Sequence, residues 1–170
     1  MKTTSLTLYS LNYRELKTYL ATTAFVAGNI VLPQFLHLIP NGGTTFLPIY
    51  FFTLIAAYKY GWKVGMLTAI LSPLFNYLLF GMPSSGMLTA ILIKSILLAS
   101  IAGVAANYFK RISIPIFFGV VLSYQIIGTV GEWALTGNFF TAMQDFRIAI
   151  PGMLLQIFGG FALLRYIIYK

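Results

Sequence analysis

The sequence predicts an all-α polytopic membrane protein with six transmembrane helices, and two observations support this prediction. Hydrophobic residues make up 59% of the chain and charged residues only 8%, whereas about a quarter of the residues in a soluble domain are charged. The apolar residues also fall into segments of about the length that crosses a hydrocarbon core of roughly 30 Å. The chain of 170 residues therefore has room for one membrane domain with short loops.

Six apolar segments are separated by Gly, Pro, Asn and basic residues, which are typical of turns. We expect helices at about residues 17–36, 46–60, 64–80, 87–109, 112–135 and 146–169. The second segment is the shortest, and we expect it to cross the membrane with little tilt.

The basic residues predict the orientation of these helices. Nine of the eleven Lys and Arg residues lie before the first segment, at the second and fourth turns, or at the end of the chain: Lys2, Arg14, Lys17, Lys59, Lys63, Lys110, Arg111, Arg165 and Lys170. Because basic residues concentrate in cytoplasmic loops, both termini are predicted to be cytoplasmic. The same distribution accounts for the net charge of +8, so no nucleic-acid partner is expected.

Polar residues within the apolar segments predict a binding site in the outer half of the membrane. Lys94 is central to it, because a charged side chain in hydrocarbon costs a few kcal/mol and usually has a partner or a function. Glu132 lies at a similar depth, so the two residues form either a structural ion pair or a ligand contact. The other candidates lie towards the same side: Asn76, Tyr77, Gln125, Trp133, Asn138, Arg147 and Gln156. For the amides, hydrogen bonding between helices is the alternative role.

No catalytic or nucleotide-binding motif is present, so we expect a protein that is not an enzyme and cannot use ATP by itself. The chain has no cysteine and only one histidine, His37. No second His, Cys or carboxylate accompanies His37 at the spacing of metal ligands. We therefore expect no metal site.

Small residues follow one another at four-residue spacing in the first segment. Thr23 and Ala27 form one such pair, and Ala24 and Gly28 form another. Small residues at this spacing allow membrane helices to approach closely. These pairs pack either within the chain or against another subunit.

Three stretches carry a resemblance to a known family. They are YGWKVG at residues 60–65, LSPLFNYLLFGMP at residues 71–83 and IPGMLLQ at residues 150–156. Together with the predicted six helices, they resemble the substrate-binding S component of energy-coupling factor (ECF) vitamin transporters.

The resemblance implies a high-affinity binding subunit of an ABC-type importer for a vitamin or a related small organic molecule. It places the ligand in a pocket formed by the last three helices and the outer loops, where we expect an anionic or strongly accepting ligand group to meet Lys94. It also implies docking through Thr23, Ala24, Ala27 and Gly28 on a transmembrane coupling subunit that carries two ATPase subunits. The chain itself would hold no cofactor and would lie in a bacterial or archaeal cytoplasmic membrane.

Two other classes of protein remain open from the sequence. One is a membrane scaffold that binds other proteins and no small ligand. The other is a small secondary transporter that works alone, although no internal repeat with broken helices, the usual sign of such transporters, is apparent.

Overall fold

The computed structural model describes residues 11–169, except for the side chains of Asp145 and Tyr169, and this part of the chain is helical without β-strands. The helices are α1 (Leu16–Leu36), α2 (Gly42–Phe46), α3 (Pro48–Tyr60), α4 (Trp62–Phe80), α5 (Ser85–Phe109), α6 (Ile114–Thr136), α7 (Phe139–Ile148), α8 (Ile150–Leu154) and α9 (Gly160–Tyr169). A π-helical turn at Leu155–Gly159, called here the π segment, joins α8 to α9. The all-α prediction is confirmed for these residues.

Within residues 11–169, five helices are long and apolar enough to cross a membrane. They are α1, α4, α5, α6 and the continuous stretch Ile150–Ile168, which comprises α8, the π segment and most of α9. This architecture is that of a multi-pass membrane protein.

The predicted span at residues 46–60 is shorter than expected. Its helix, α3, has 13 residues and is therefore about 20 Å long, less than the roughly 30 Å of a hydrocarbon core. The helix cannot extend backwards because Leu47 has a left-handed backbone, with φ of 48°. Leu47 precedes Pro48, and a residue before proline is disfavoured in the α-helical conformation.

Helix α3 forms the centre of the bundle rather than one of its walls. It packs against α1, α4 and α5, and residues 53–58 are all buried. Helices α3 and α4 approach closely at Gly65 of α4, where an added Cβ would lie 2.4 Å from Cβ of Ala57. The small residues of α4 thus allow the two helices to touch.

A buried asparagine joins three of these helices. The Asn29 side-chain amide donates hydrogen bonds to Thr53 Oγ1 at 3.0 Å and to Ser72 Oγ at 3.1 Å. The backbone oxygen of Asn29 in turn accepts a bond of 3.0 Å from the Asn76 amide. Polar groups in an apolar bundle need partners within the protein, so these bonds hold α1, α3 and α4 together.

The last predicted segment begins later than expected. The helix starts at Ile150, not near residue 146, and residues 139–148 form the separate helix α7 where a loop was expected. Asn138 supports the start of α7, since its Oδ1 accepts a hydrogen bond of 3.2 Å from the Thr141 N–H. Such a cap satisfies one of the backbone donors that the first turn leaves free.

Segments that the sequence assigns to the cytoplasm meet at one end of the bundle. The Tyr58 hydroxyl donates to the backbone oxygen of Arg111 at 2.5 Å. The Lys63 ammonium donates to Asn12 Oδ1 at 2.8 Å. The second turn, the fourth turn and the residues before α1 therefore lie together.

Candidate binding site

A buried ion pair connects α5 and α6. Lys94 of α5 bonds to Glu132 of α6, and each residue is only 7% exposed. The lysine stem passes directly over Gly128, where an added Cβ would lie 2.6 Å from Lys94 Cγ. The glycine, one turn before Glu132, lets α5 approach closely enough for the pair to form.

Four buried polar atoms on α5, α6 and the π segment have no hydrogen-bond partner within residues 11–169. They are Ser95 Oγ, Gln125 Oε1, Thr129 Oγ1 and Gln156 Nε2. Ser95 follows Lys94 on α5. On α6, Gln125, Thr129 and Glu132 are four and three residues apart, which places them on one side of the helix. Unpartnered buried polar atoms are uncommon in native proteins and call for a water, an ion or a ligand.

Tyr124 bonds to one end of the Gln156 side-chain amide. The Tyr124 hydroxyl donates to Gln156 Oε1 at 3.0 Å, and both side chains are fully buried. The amide oxygen is therefore occupied, and the NH2 group is the free end. Gln156 lies in the π segment, and π-helical turns occur frequently at functional sites.

We call these residues the polar cluster: Lys94, Ser95, Gln125, Thr129, Glu132 and Gln156. Its two charges cancel, and its free atoms are amide and hydroxyl groups. Such groups can hold a polar molecule by hydrogen bonds. Throughout the described part of the chain, no three His, Cys, Asp or Glu side chains lie together as a metal site.

Four of the predicted site residues, Lys94, Gln125, Glu132 and Gln156, belong to the polar cluster as defined above, whereas Asn76 bonds within α1 and α4. The Asn76 amide donates to the backbone oxygens of Asn29 and Ser72, at 3.0 and 2.9 Å. Both amide hydrogens are thus used between α1 and α4. This is the helix-bonding role that the sequence left open for Asn76.

The two aromatic candidates lie outside the polar cluster. Trp133 follows Glu132 but is 45% exposed, and its ring makes an edge contact with Phe139 at 5.4 Å between centroids. Tyr77 is half-buried near the end of α4. Trp133 therefore connects α6 to α7 on the outside of the bundle.

The last two candidates belong to α7. Asn138 is exposed and caps this helix, as described above. Arg147 is exposed and lines an open groove of about 700 Å³ together with Phe140 and Met143. Both residues lie at the surface, away from the buried atoms of the polar cluster.

The small residues of α1 divide between two faces. Thr23, Ala24 and Ala27 are exposed. Gly28 is turned inwards, because an added Cβ there would lie 2.8 Å from the Phe52 ring. Gly28 therefore packs within the chain, and the other three residues are available to a partner.

Reasoning from the sequence missed Ser95, Tyr124 and Thr129. A signal was present for two of them, since Thr129 lies one turn after Gln125 on the same side of α6 and Tyr124 precedes Gln125. The contact between Tyr124 and Gln156 joins residues 32 positions apart. No spacing rule predicts such a contact.

Comparison with protein-family models, with curated protein sequences and with solved structures finds no match for this chain.

Proposed function

We propose that this chain is the membrane-embedded substrate-binding subunit of an ECF-type importer for a vitamin or a related small organic molecule. In this proposal the polar cluster binds the molecule, and α1 docks on a transmembrane coupling subunit. Two ATPase subunits on that partner use the ATP, while this chain holds no cofactor and catalyses no reaction. The complex would lie in a bacterial or archaeal cytoplasmic membrane.

One observation carries the proposal, the four unpartnered atoms of the polar cluster. A purely structural cluster would pair its own groups, as Asn29, Thr53 and Ser72 do on the other side of the bundle. Free donors and acceptors in a buried place are instead what a binding site offers before its ligand arrives. They lie on α5, α6 and the π segment, which belong to the last three membrane-spanning stretches, where the resemblance implies the pocket.

The exposed face of α1 supports the docking part of the proposal. This face has a shallow depression where its side chains are small, at Thr23, Ala24 and Ala27. The exposed side chains on either side of it, Leu20 and Val31, are larger. A neighbouring helix can approach most closely over such small residues.

The proposal includes six crossings with both termini in the cytoplasm. The second crossing would be made by α3, which is about 20 Å long, together with the short helix α2 before the break at Leu47. The contacts of Tyr58 with Arg111 and of Lys63 with Asn12 support the placement of these segments on one side of the membrane.

Cysteine labelling tests the orientation of the helices. The chain has no cysteine of its own, so only an introduced cysteine can react with the label. We expect a cysteine at Ser84 or Asn138 to react with a membrane-impermeant maleimide in intact cells. A cysteine at Arg111 should react only after the cells are opened. Labelling of Arg111→Cys in intact cells, with Ser84→Cys protected, would show that the orientation is reversed.

The binding function is tested on the purified chain in detergent. Denaturation should release a small molecule that mass spectrometry detects in repeated preparations, and that is absent from an unrelated membrane protein purified from the same cells. Repeated preparations without such a molecule, but with co-purified proteins, would favour a scaffold. Uptake of the released molecule into vesicles that contain this chain alone, without ATP, would favour a secondary transporter.

A further inference from the structure

The charges of the polar cluster constrain the ligand that it binds. Lys94 and Glu132 are each 7% exposed and bonded to each other, so the cluster carries no net charge. An anionic ligand that captured the Lys94 ammonium would leave the Glu132 carboxylate buried and unpaired. An unpaired buried charge is strongly unfavourable. The packing of the Lys94 stem over Gly128 also holds the ammonium beside Glu132.

The groups that remain free are all uncharged. Gln156 Nε2 is a donor without an acceptor, while the oxygen of the same amide accepts from Tyr124. Gln125 Oε1 is an acceptor. The hydroxyls of Ser95 and Thr129 can donate or accept. A ligand that satisfies these atoms needs an acceptor for Gln156 and a donor for Gln125.

We infer that the polar cluster takes an uncharged compound that carries hydrogen-bond acceptors and donors together, as amides, lactams and ureas do. The inference rests on the proposed binding function and narrows its substrate class. It departs from the expectation of an anionic ligand group at Lys94, because the structure occupies that ammonium with Glu132.

The selectivity of such a site follows from its burial. A donor that finds no acceptor in the ligand stays unpaired away from water, and this costs more than the same loss at a surface. Loss of one neutral hydrogen bond lowers affinity by roughly tenfold. A charged ligand would in addition lose its hydration without gaining an opposite charge.

The test uses the small molecules released by denaturing the purified chain. Three forms are purified in parallel: the parent, Gln156→Leu and the control Gln144→Leu, which makes the same replacement at an exposed position of α7. Size-exclusion chromatography and circular dichroism establish that each form is folded. Mass spectrometry then identifies the compounds released, and electrophoresis at pH 7 gives their charge.

We expect one compound to be released from the parent and from Gln144→Leu, and roughly tenfold less of it from Gln156→Leu. It should have no ionised group at pH 7. If Gln156→Leu does not fold, Gln125→Leu removes the acceptor instead and should cause a similar loss.

Two results would overturn the inference while leaving the proposed function in place. One is a released compound with a carboxylate, phosphate or ammonium group. The other is a compound released in equal amount from a folded Gln156→Leu, which would show that it binds elsewhere. If no form releases any compound, the polar cluster holds only water, and both the inference and the proposed function fail.

Discussion

Lys94→Met should lower the free energy of unfolding by about 3–5 kcal/mol, the loss typical of breaking a buried ion pair from one side. Methionine keeps the length and the apolar stem of lysine but removes the charge. The Glu132 carboxylate, buried against α5, then has no counter-ion. Glu132→Gln should be similarly harmful, because it leaves the Lys94 ammonium unpaired. Unfolding titrations with SDS in mixed micelles measure both losses.

The double variant separates an ion pair from two independent residues. Lys94→Met with Glu132→Gln removes both charges, so most of the lost stability should return. Lys17→Met is the matched control, because Lys17 is exposed at the start of α1, and it should change stability by no more than about 0.5 kcal/mol. Losses that simply add in the double variant would show that the two side chains do not depend on each other.

Ala27→Trp should abolish uptake by the assembled transporter while the purified chain still binds its compound. In our proposal the coupling subunit approaches α1 over Thr23, Ala24 and Ala27, which are exposed. An indole in this face would hold the two helices apart, and membrane helices associate chiefly through close packing. Uptake is measured in vesicles that contain this chain, the coupling subunit and both ATPases.

Val104→Trp is the control for bulk alone. Val104 is exposed on α5, so a tryptophan there meets lipid without touching the α1 face, and uptake should continue. Pull-down of the coupling subunit should fail for Ala27→Trp and succeed for Val104→Trp. If Ala27→Trp lost binding of the compound together with uptake, Ala27 would be packing within the chain.

Hydropathy located the spanning helices well and the short elements poorly. A long apolar run can satisfy its backbone in a membrane only as a helix, so α1, α4, α5 and α6 follow almost directly from composition. The interruption at Leu47 and the helix α7 depend instead on local backbone conformation. Asn138, followed by inward-facing Ala142 and Phe146 at helical spacing, was a usable signal for α7.

In the candidate site, the bonding partner of a charged side chain could be predicted from the sequence. A lysine and a glutamate in neighbouring apolar helices at similar depth had few other partners, and Lys94 and Glu132 do pair. For the amide side chains the sequence did not predict a bonding partner, because an amide can bond to almost any polar group. Asn76 therefore joined Asn29, whereas Gln156 joined Tyr124, and only the packing of the helices distinguishes the two cases.

The π segment affects which side of the stretch Ile150–Ile168 each residue faces. Gly152, Gln156, Gly160 and Leu164 are all buried, and they recur every four residues. In a regular α-helix, four residues turn about 40° past a full circle, so a row at this spacing drifts steadily around the axis. The π segment, Leu155–Gly159, turns less per residue and takes back part of that drift. The reduced rotation of the π segment thus keeps the buried Gly152 and Gly160 on the same side as the Gln156 amide between them.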